Sequence, residues 1–325
     1  MSLALPMQRI GRDDEPEIAA SLGDYVKPGT FALAAVTILA SAAASAAQET
    51  PAEYQQVLTA LGKTGDFKDN VLKVNLPRND VKVTIAGFDT PTPFGFGGWI
   101  AFTKASDGGQ VMMGDLVLLE NEVNPVMSAV LDNGFDVTAL HNHFFQDEPH
   151  MFYMHVHGHG AAADLARRIK PAIDLIGKGR PAVPQTSANQ LDGAKLARIV
   201  GHAGEQTGAV YKITIGRDDL KMTEMGAPIN ARMGLNTWAA FTGSNEKAAI
   251  AGDIAMLESE VTPVLKALRQ HGLEVVAIHH HMTTERPMVI FLHYWGTGPA
   301  ETLASGFTAA LNELGKHGGP PTNSK

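Results

Sequence analysis

Trp99-Ile100-Ala101-Phe102-Thr103 reappears 139 residues later as Trp238-Ala239-Ala240-Phe241-Thr242. Upstream, Lys73, Arg78, Asp80 and Lys82 match Lys212, Arg217, Asp219 and Lys221 at the same offset of 139. One residue is lost in the loop before Gly252. Beyond it an offset of 138 relates Gly114-Asp115 to Gly252-Asp253, Glu120 and Glu122 to Glu258 and Glu260, and Pro125 and Gly134 to Pro263 and Gly272. The same shift carries His141, His143, Pro149, His155, Gly158 and Gly160 onto His279, His281, Pro287, His293, Gly296 and Gly298. A register held over this length marks a tandem duplication. It divides the chain into an N-terminal extension and signal segment, 1–46, a first repeat, 47–178, a linker containing Gly, Pro, Ser and Thr, 179–190, a second repeat, 191–316, and a tail, 317–325.

Within each repeat the hydrophobic period alternates between that of strand and that of helix. Leu72 to Leu76, Val81 to Ile85 and Tyr211 to Ile215 alternate as antiparallel strands do, and Ile100 to Phe102 and Val111 to Leu119 are further strand candidates. Asn121 or Asn124 is expected to cap a helix running through Leu131, with Pro125 in its first turn and Gly134 just past its end. Thr262, Pro263 and Gly272 repeat that pattern. The fold class is therefore α+β: two homologous repeats, each a mainly antiparallel sheet with covering helices, related by a pseudo-twofold axis.

The chain of 325 residues is 44% hydrophobic and 18% charged, which suits a globular protein with a buried core. Its net charge of −8 argues against a basic surface for nucleic acid. The absence of Cys removes disulfides, thiolate zinc sites, iron–sulfur clusters and thiol nucleophiles. No Gly-x-Ser-x-Gly, His-Glu-x-x-His or Walker sequence occurs. Lys27 precedes the apolar run Phe31 to Ala44, and Ala44-Ser45-Ala46 offers an exit for a signal peptidase, with cleavage expected before Ala47. The run is short for a membrane span, so a periplasmic or secreted protein is expected, with no stable membrane anchor after cleavage. The acidic residues of Met1 to Asp24 are unusual for such a leader and would be explained by a start codon placed too far upstream.

Ten of the 13 histidines lie in two windows, His141 to His159 and His279 to His293. Residues two apart on a strand share a face, so His141 and His143 point the same way, as do Tyr153, His155, His157 and His159. A hairpin centred near Pro149 would put His143 opposite His155 and His141 opposite His157, at Cβ separations of about 4.5 to 5.5 Å. Such partners can hold a metal between them, because imidazole nitrogens bind at about 2.0 to 2.1 Å. The second repeat offers His279, His281 and His293, with Trp295 in the slot of His157. The expected metal ligands are thus His141, His143, His155, His157, His279, His281 and His293, with Glu122 and Glu260 as acidic partners. Zn, Fe, Mn and Cu all suit this donor set. Glu120 and Glu122 also stand where they would serve the N-terminus of a helix electrostatically. His150, His159 and His280 have no counterpart histidine and read as loop residues. Trp99, Trp238, Phe102 and Phe241 read as core, as do Met112, Met113, Met151 and Met154.

The segments Trp99 to Phe102, Gly114 to Gly134, His141 to His143 and His155 to Gly160, with their second copies, resemble the bacterial family of homologues of the mycobacterial lipoproteins LppY and LpqO. That resemblance implies an exported cell-envelope protein and says little of activity. The lipoprotein pattern needs a Cys after the signal region, and this chain has none.

Three functions follow as expectations. The first is an exported protein that binds a transition metal through His-rich hairpins, for sequestration, delivery or sensing. The second is a metal-dependent periplasmic enzyme, hydrolytic or oxidative, with three histidines on the metal and Glu120 or Glu122 as ligand or general base. The third is a metal-free module recognising an envelope glycan or protein. The expected partners are a metal ion with a small molecule or a cell-wall component, and no nucleic acid.

Overall fold

The computed structural model of the chain describes residues 48–185 and 190–316. The expected signal segment, part of the linker and the tail lie outside the described residues. The first repeat runs α1 (Ala52–Leu61), β1 (Asp66–Lys68), β2 (Val71–Pro77), β3 (Val83–Ile85), β4 (Phe88–Thr90), β5 (Gly97–Lys104), β6 (Gln110–Leu119), α2 (Glu120–Asp132), β7 (Asp136–His141), β8 (Asp147–Glu148), β9 (Met151–Gly160) and α3 (Ala162–Ile173). The second runs α4 (Gly193–Val200), β10 (Gly204–Thr207), β11 (Val210–Gly216), β12 (Met222–Glu224), β13 (Ala227–Ile229), β14 (Asn236–Gly243), β15 (Ala248–Met256), α5 (Glu258–Gln270), β16 (Glu274–His279), β17 (Ile290–Gly298) and α6 (Ala300–Leu311).

Each repeat forms a six-stranded sheet, ordered β1-β2-β5-β6-β9-β7 in the first and β10-β11-β14-β15-β17-β16 in the second. All pairings within both sheets are antiparallel. One face of the first sheet is covered by its helices, with Tyr54, Val57, Val126, Val130, Leu165 and Ile169 packed on Leu72, Ile100, Met112 and Val156. The second sheet buries Ile213, Phe241, Ile250 and Leu292 under Leu196, Leu268 and Phe307 in the same way. Central strands covered on both faces read as nearly continuous apolar runs, and β15 is buried along its whole length.

The other faces of the two sheets pack through exchanged arms. Val81, Val83, Ile85, Phe94 and Phe96, from the segment around β3 and β4, pack on Val210, Ala240, Ala249, Ala251 and Trp295 of the second repeat. Met222, Ala227, Ile229, Met233 and Leu235 pack reciprocally on Val71, Ala101, Val111 and Met113 of the first. This reciprocity is the expected pseudo-twofold. Each arm is rooted by a buried arginine. Arg78 forks onto Asp80 at 2.8 Å and donates to Glu122 at 2.6 and 3.2 Å and to the Val117 carbonyl at 2.8 Å. Arg217 repeats the arrangement with Asp219, Glu260 and the Ala255 carbonyl.

Two expectations are corrected here. The helix α2 starts at Glu120, ahead of both asparagines, and Pro125 lies inside it. The Glu122 carboxylate accepts from the Leu119 N–H at 2.8 Å, satisfying the helix end that an asparagine was expected to cap.

A candidate metal centre between the repeats

Strand pairing sets which side chains meet. In β7 and β9, His141 faces Tyr153, Ala139 faces His155 and Asp136 faces His157, with a bulge between Val137 and Ala139. The expected pairs His143–His155 and His141–His157 therefore do not form. The chain between these strands is no tight hairpin, because Asp147 and Glu148 leave to pair with β3. His143 lies past the end of β7, and β16 ends likewise at His279, ahead of His281.

The six shared histidines nevertheless converge, because the inner faces of the two sheets meet. The shortest ring contacts among them join opposite repeats, with centroids of His143 and His293 3.5 Å apart, His141 and His279 3.8 Å, and His155 and His281 4.0 Å. His141 Nε2 lies 3.1 Å from His293 Nε2. Three overlapping groups have ligand atoms within 4.8 Å of one another: His141, His279 and His293; His155, His279 and His281; and Asp253, His281 and His293. Two of these groups mix the repeats, so the site is not a property of one hairpin.

The chemistry of the donors fits a metal ion. His293 Nδ1 meets the Gly252 carbonyl at 3.3 Å, and His155 bonds to the Gly114 carbonyl. A carbonyl only accepts, so His293 Nδ1 carries the proton and its Nε2 lone pair faces the cluster, the usual orientation of a metal-binding imidazole. His155 Nε2, His281 Nε2 and both ring nitrogens of His143 and His279 are buried without a hydrogen-bond partner. Burial pushes His141 down to about 2 and His279 to about 3, and holds the other four well below the ordinary histidine range. All six are neutral at pH 7, which is the ligating form.

The remaining candidates stand elsewhere. His157 is fully buried, but its Nδ1 lies 3.4 Å from Glu224 of the opposite arm and it joins none of the three groups. Glu122 and Glu260 are also absent from those groups. Their carboxylates are taken up by Arg78 and Arg217 and by the backbone N–H groups of Leu119 and Gly177, and of Leu257 and Gly315. Glu120 is exposed on the first turn of α2. His150, His159 and His280 pair peripherally with Asp147, Asp107 and Glu285.

The acidic residues that do reach the cluster are Asp115 and Asp253. They face His155 and His293 across β6–β9 and β15–β17. Asp253 Oδ2 lies 3.6 Å from His281 Nε2. Burial raises Asp115 to about 7 and lifts Asp253 well above the carboxylate range, the latter further through its neighbour Asp115. A cavity of about 730 Å³ reaches this point, lined by His143, His281, His293, both aspartates, Lys73, Lys212, Trp99 and Trp238. Phe102 and Phe241 are fully buried as expected, while both tryptophans are half-buried, packed against the core on one side and walling the cleft on the other. Their signal was present in the sequence, since Lys73, Trp99 and Asp115 all recur with the histidines.

Comparison with curated proteins returns no match. Among solved structures the chain is similar to the double-ringed trimeric shell protein MSM0271 from the RMM microcompartment, at 15% identity and a TM-score of 0.18, covering 63% of this chain and 82% of that one. It is also similar to EtuB from Clostridium kluyveri, at 10% identity and a TM-score of 0.20, covering 81% and 93%. The trimeric microcompartment shell protein PduB is matched at 13% identity and a TM-score of 0.20, covering 81% and 97%. Overlaps this weak carry no argument about fold or function. The sequence model of DUF1529, described as Domain of Unknown Function (DUF1259), matches residues 55–175 and again 194–313, so the chain belongs to that family and contains two copies of its domain.

Proposed function

We propose that this is an exported protein that binds a transition metal ion with histidines contributed by both repeats. The observation that carries the reading is the convergence of six neutral imidazoles, five of them with a buried nitrogen that meets no partner and two, His155 and His293, held by backbone carbonyls. Zn, Fe, Mn and Cu remain compatible with three or four imidazoles and one carboxylate. The export part rests on Lys27, the apolar run Phe31 to Ala44 and Ala44-Ser45-Ala46. Among the described residues no helix is long and apolar enough to cross a membrane. The test is elemental analysis of protein purified without a histidine tag. It should carry about one equivalent of metal, and the His141→Ala/His143→Ala variant should retain less after dialysis. Less than about a tenth of an equivalent in the unmodified protein, even after supplementation, would overturn the reading.

The cleft favours a second reading, a metal-dependent enzyme. It reaches His143, His281 and His293, so a small molecule has a route to the ligand set. A bound metal would supply Lewis acidity there. Asp115, poised near neutrality, is the group able to hold or pass a proton beside it.

A further inference from the structure

The cleft contains a second chemical feature that the histidines do not use. Across the first sheet, neighbouring strands present Lys73 and Asn75 on β2, Trp99 on β5, Asp115 on β6 and His155 on β9. The second sheet presents Lys212 and Thr214, Trp238, Asp253 and His293 in the same order. Asn75 and Thr214 are exposed and the lysines and indoles half-buried, while His155 and His293 are buried, so the cleft runs from an open lysine end to a closed histidine end. Lys73 Nζ sits 4.4 Å above the Trp99 ring and Lys212 Nζ 3.9 Å above that of Trp238. Among the described residues neither ammonium has a hydrogen-bond or ion-pair partner. The third cation of the cleft, Arg232, engages the Asp66 carboxylate and carbonyl through Nη2, while its Nε is buried without a partner.

We propose that the open end of this cleft binds a small organic carboxylate, each of whose oxygens accepts from one of the Lys73 and Lys212 ammonium groups. A desolvated ammonium is costly beyond what Asp115 and Asp253 offset, and a bound anion lowers that cost. Burial and the neighbouring Lys212 and Arg232 already push Lys73 down to about 8, and burial does the same to Lys212. Both ammoniums line the one cavity, and two cationic donors offer one partner to each oxygen of a carboxylate. The cavity of about 730 Å³ is the size of a metabolite site. The inference does not rest on the metal reading, since the lysines lie at the other end of the cleft.

The test uses the tag-free full chain after metal removal by chelation, titrated with acetate, succinate, benzoate and inorganic phosphate by calorimetry and tryptophan fluorescence. At least one organic carboxylate should bind saturably with a Kd below about 1 mM. The Lys73→Met/Lys212→Met variant should bind it at least about tenfold more weakly, and Lys73→Arg/Lys212→Arg within about threefold of the unmodified protein. Binding should be the same within about threefold before and after chelation, which separates failure here from failure of the metal reading. If the double Met variant does not fold, Lys212→Gln carries the same comparison. Saturation by none of the three carboxylates, binding by phosphate alone, binding that survives in a folded double Met variant, or binding present before chelation and lost after it would each overturn the proposal.

Discussion

Glu122 shows why a residue type in the right place is not yet a ligand. Its carboxylate has two strong claimants in Arg78 and the backbone, and it anchors an arm and a helix end instead of a metal. Glu122→Ala leaves the Arg78 guanidinium buried beside a single remaining carboxylate. It should destabilise the fold by about 3–5 kcal/mol in denaturant unfolding, while protein that remains folded keeps its metal. The cleft lysines make the opposite prediction. Their folded-state values, about 8 against an ordinary 10.5, mean that the unfolded chain holds the proton more tightly. The resulting penalty is fully present below pH 8 and is relieved only as pH rises from about 8 to 10.5. Lys73→Met/Lys212→Met should therefore raise the thermal midpoint at pH 7. The buried histidines are also held neutral by the fold, so as pH falls below about 6.5 the unfolded chain takes up protons first and stability drops. Each contributes up to about 1.4 kcal/mol per pH unit. Asp115, raised to about 7, acts in the other direction over about pH 4 to 7 and Asp253, also raised, acts with it, but four buried imidazoles outweigh two carboxyls. The metal-free protein should lose thermal stability steadily from pH 7 to 5, and replacing His143 and His281 with Ala should flatten that slope.

At the scale of elements, the recurring Gly-Asp pair was legible as a repeat but not as a structural device. Gly252 sits where an added Cβ would lie 2.1 Å from the Trp238 carbonyl oxygen and 2.3 Å from the Tyr294 hydroxyl. Only glycine lets β14, β15 and β17 approach so closely while Asp253 turns into the cleft. Gly252→Ala should cost about 1–3 kcal/mol or more, measured by urea unfolding. The strands around Leu72 to Leu76, Ile100 to Phe102, Val111 to Leu119 and Tyr211 to Ile215 and the shared face of His155 and His157 followed from periodicity. The register between β7 and β9 did not, because it depends on Asp147 and Glu148 pairing with β3, a contact distant in sequence. Periodicity also placed Trp99 in the core, since an indole over which a lysine lies and an indole packed in an apolar interior share the same strand pattern.

For the whole molecule, duplication announced two sheets and six equivalent histidines, but not that the six form one centre. That outcome comes from the exchanged arms, which bring the inner faces together, and no pattern within one repeat encodes it. The arms also explain the departure from symmetry. His157 meets Glu224 where the equivalent pair in the other arm is Trp295 and Ile85, so a polar contact at one arm replaces an apolar one at the other. Metal binding by both repeats jointly is the central claim, and the most direct measurement is the metal-to-protein ratio of the zinc-loaded, tag-free His279→Ala/His281→Ala variant beside the unmodified protein. Every one of the three ligand groups contains His279 or His281. The unmodified protein should carry about one equivalent or more and the folded variant less than about a tenth. A variant that still holds zinc on His141, His143 and His155 would contradict joint binding, because the first repeat would then own a complete site, and so would a His141→Ala/His155→Ala variant that keeps a full equivalent on Asp253, His281 and His293 of the second.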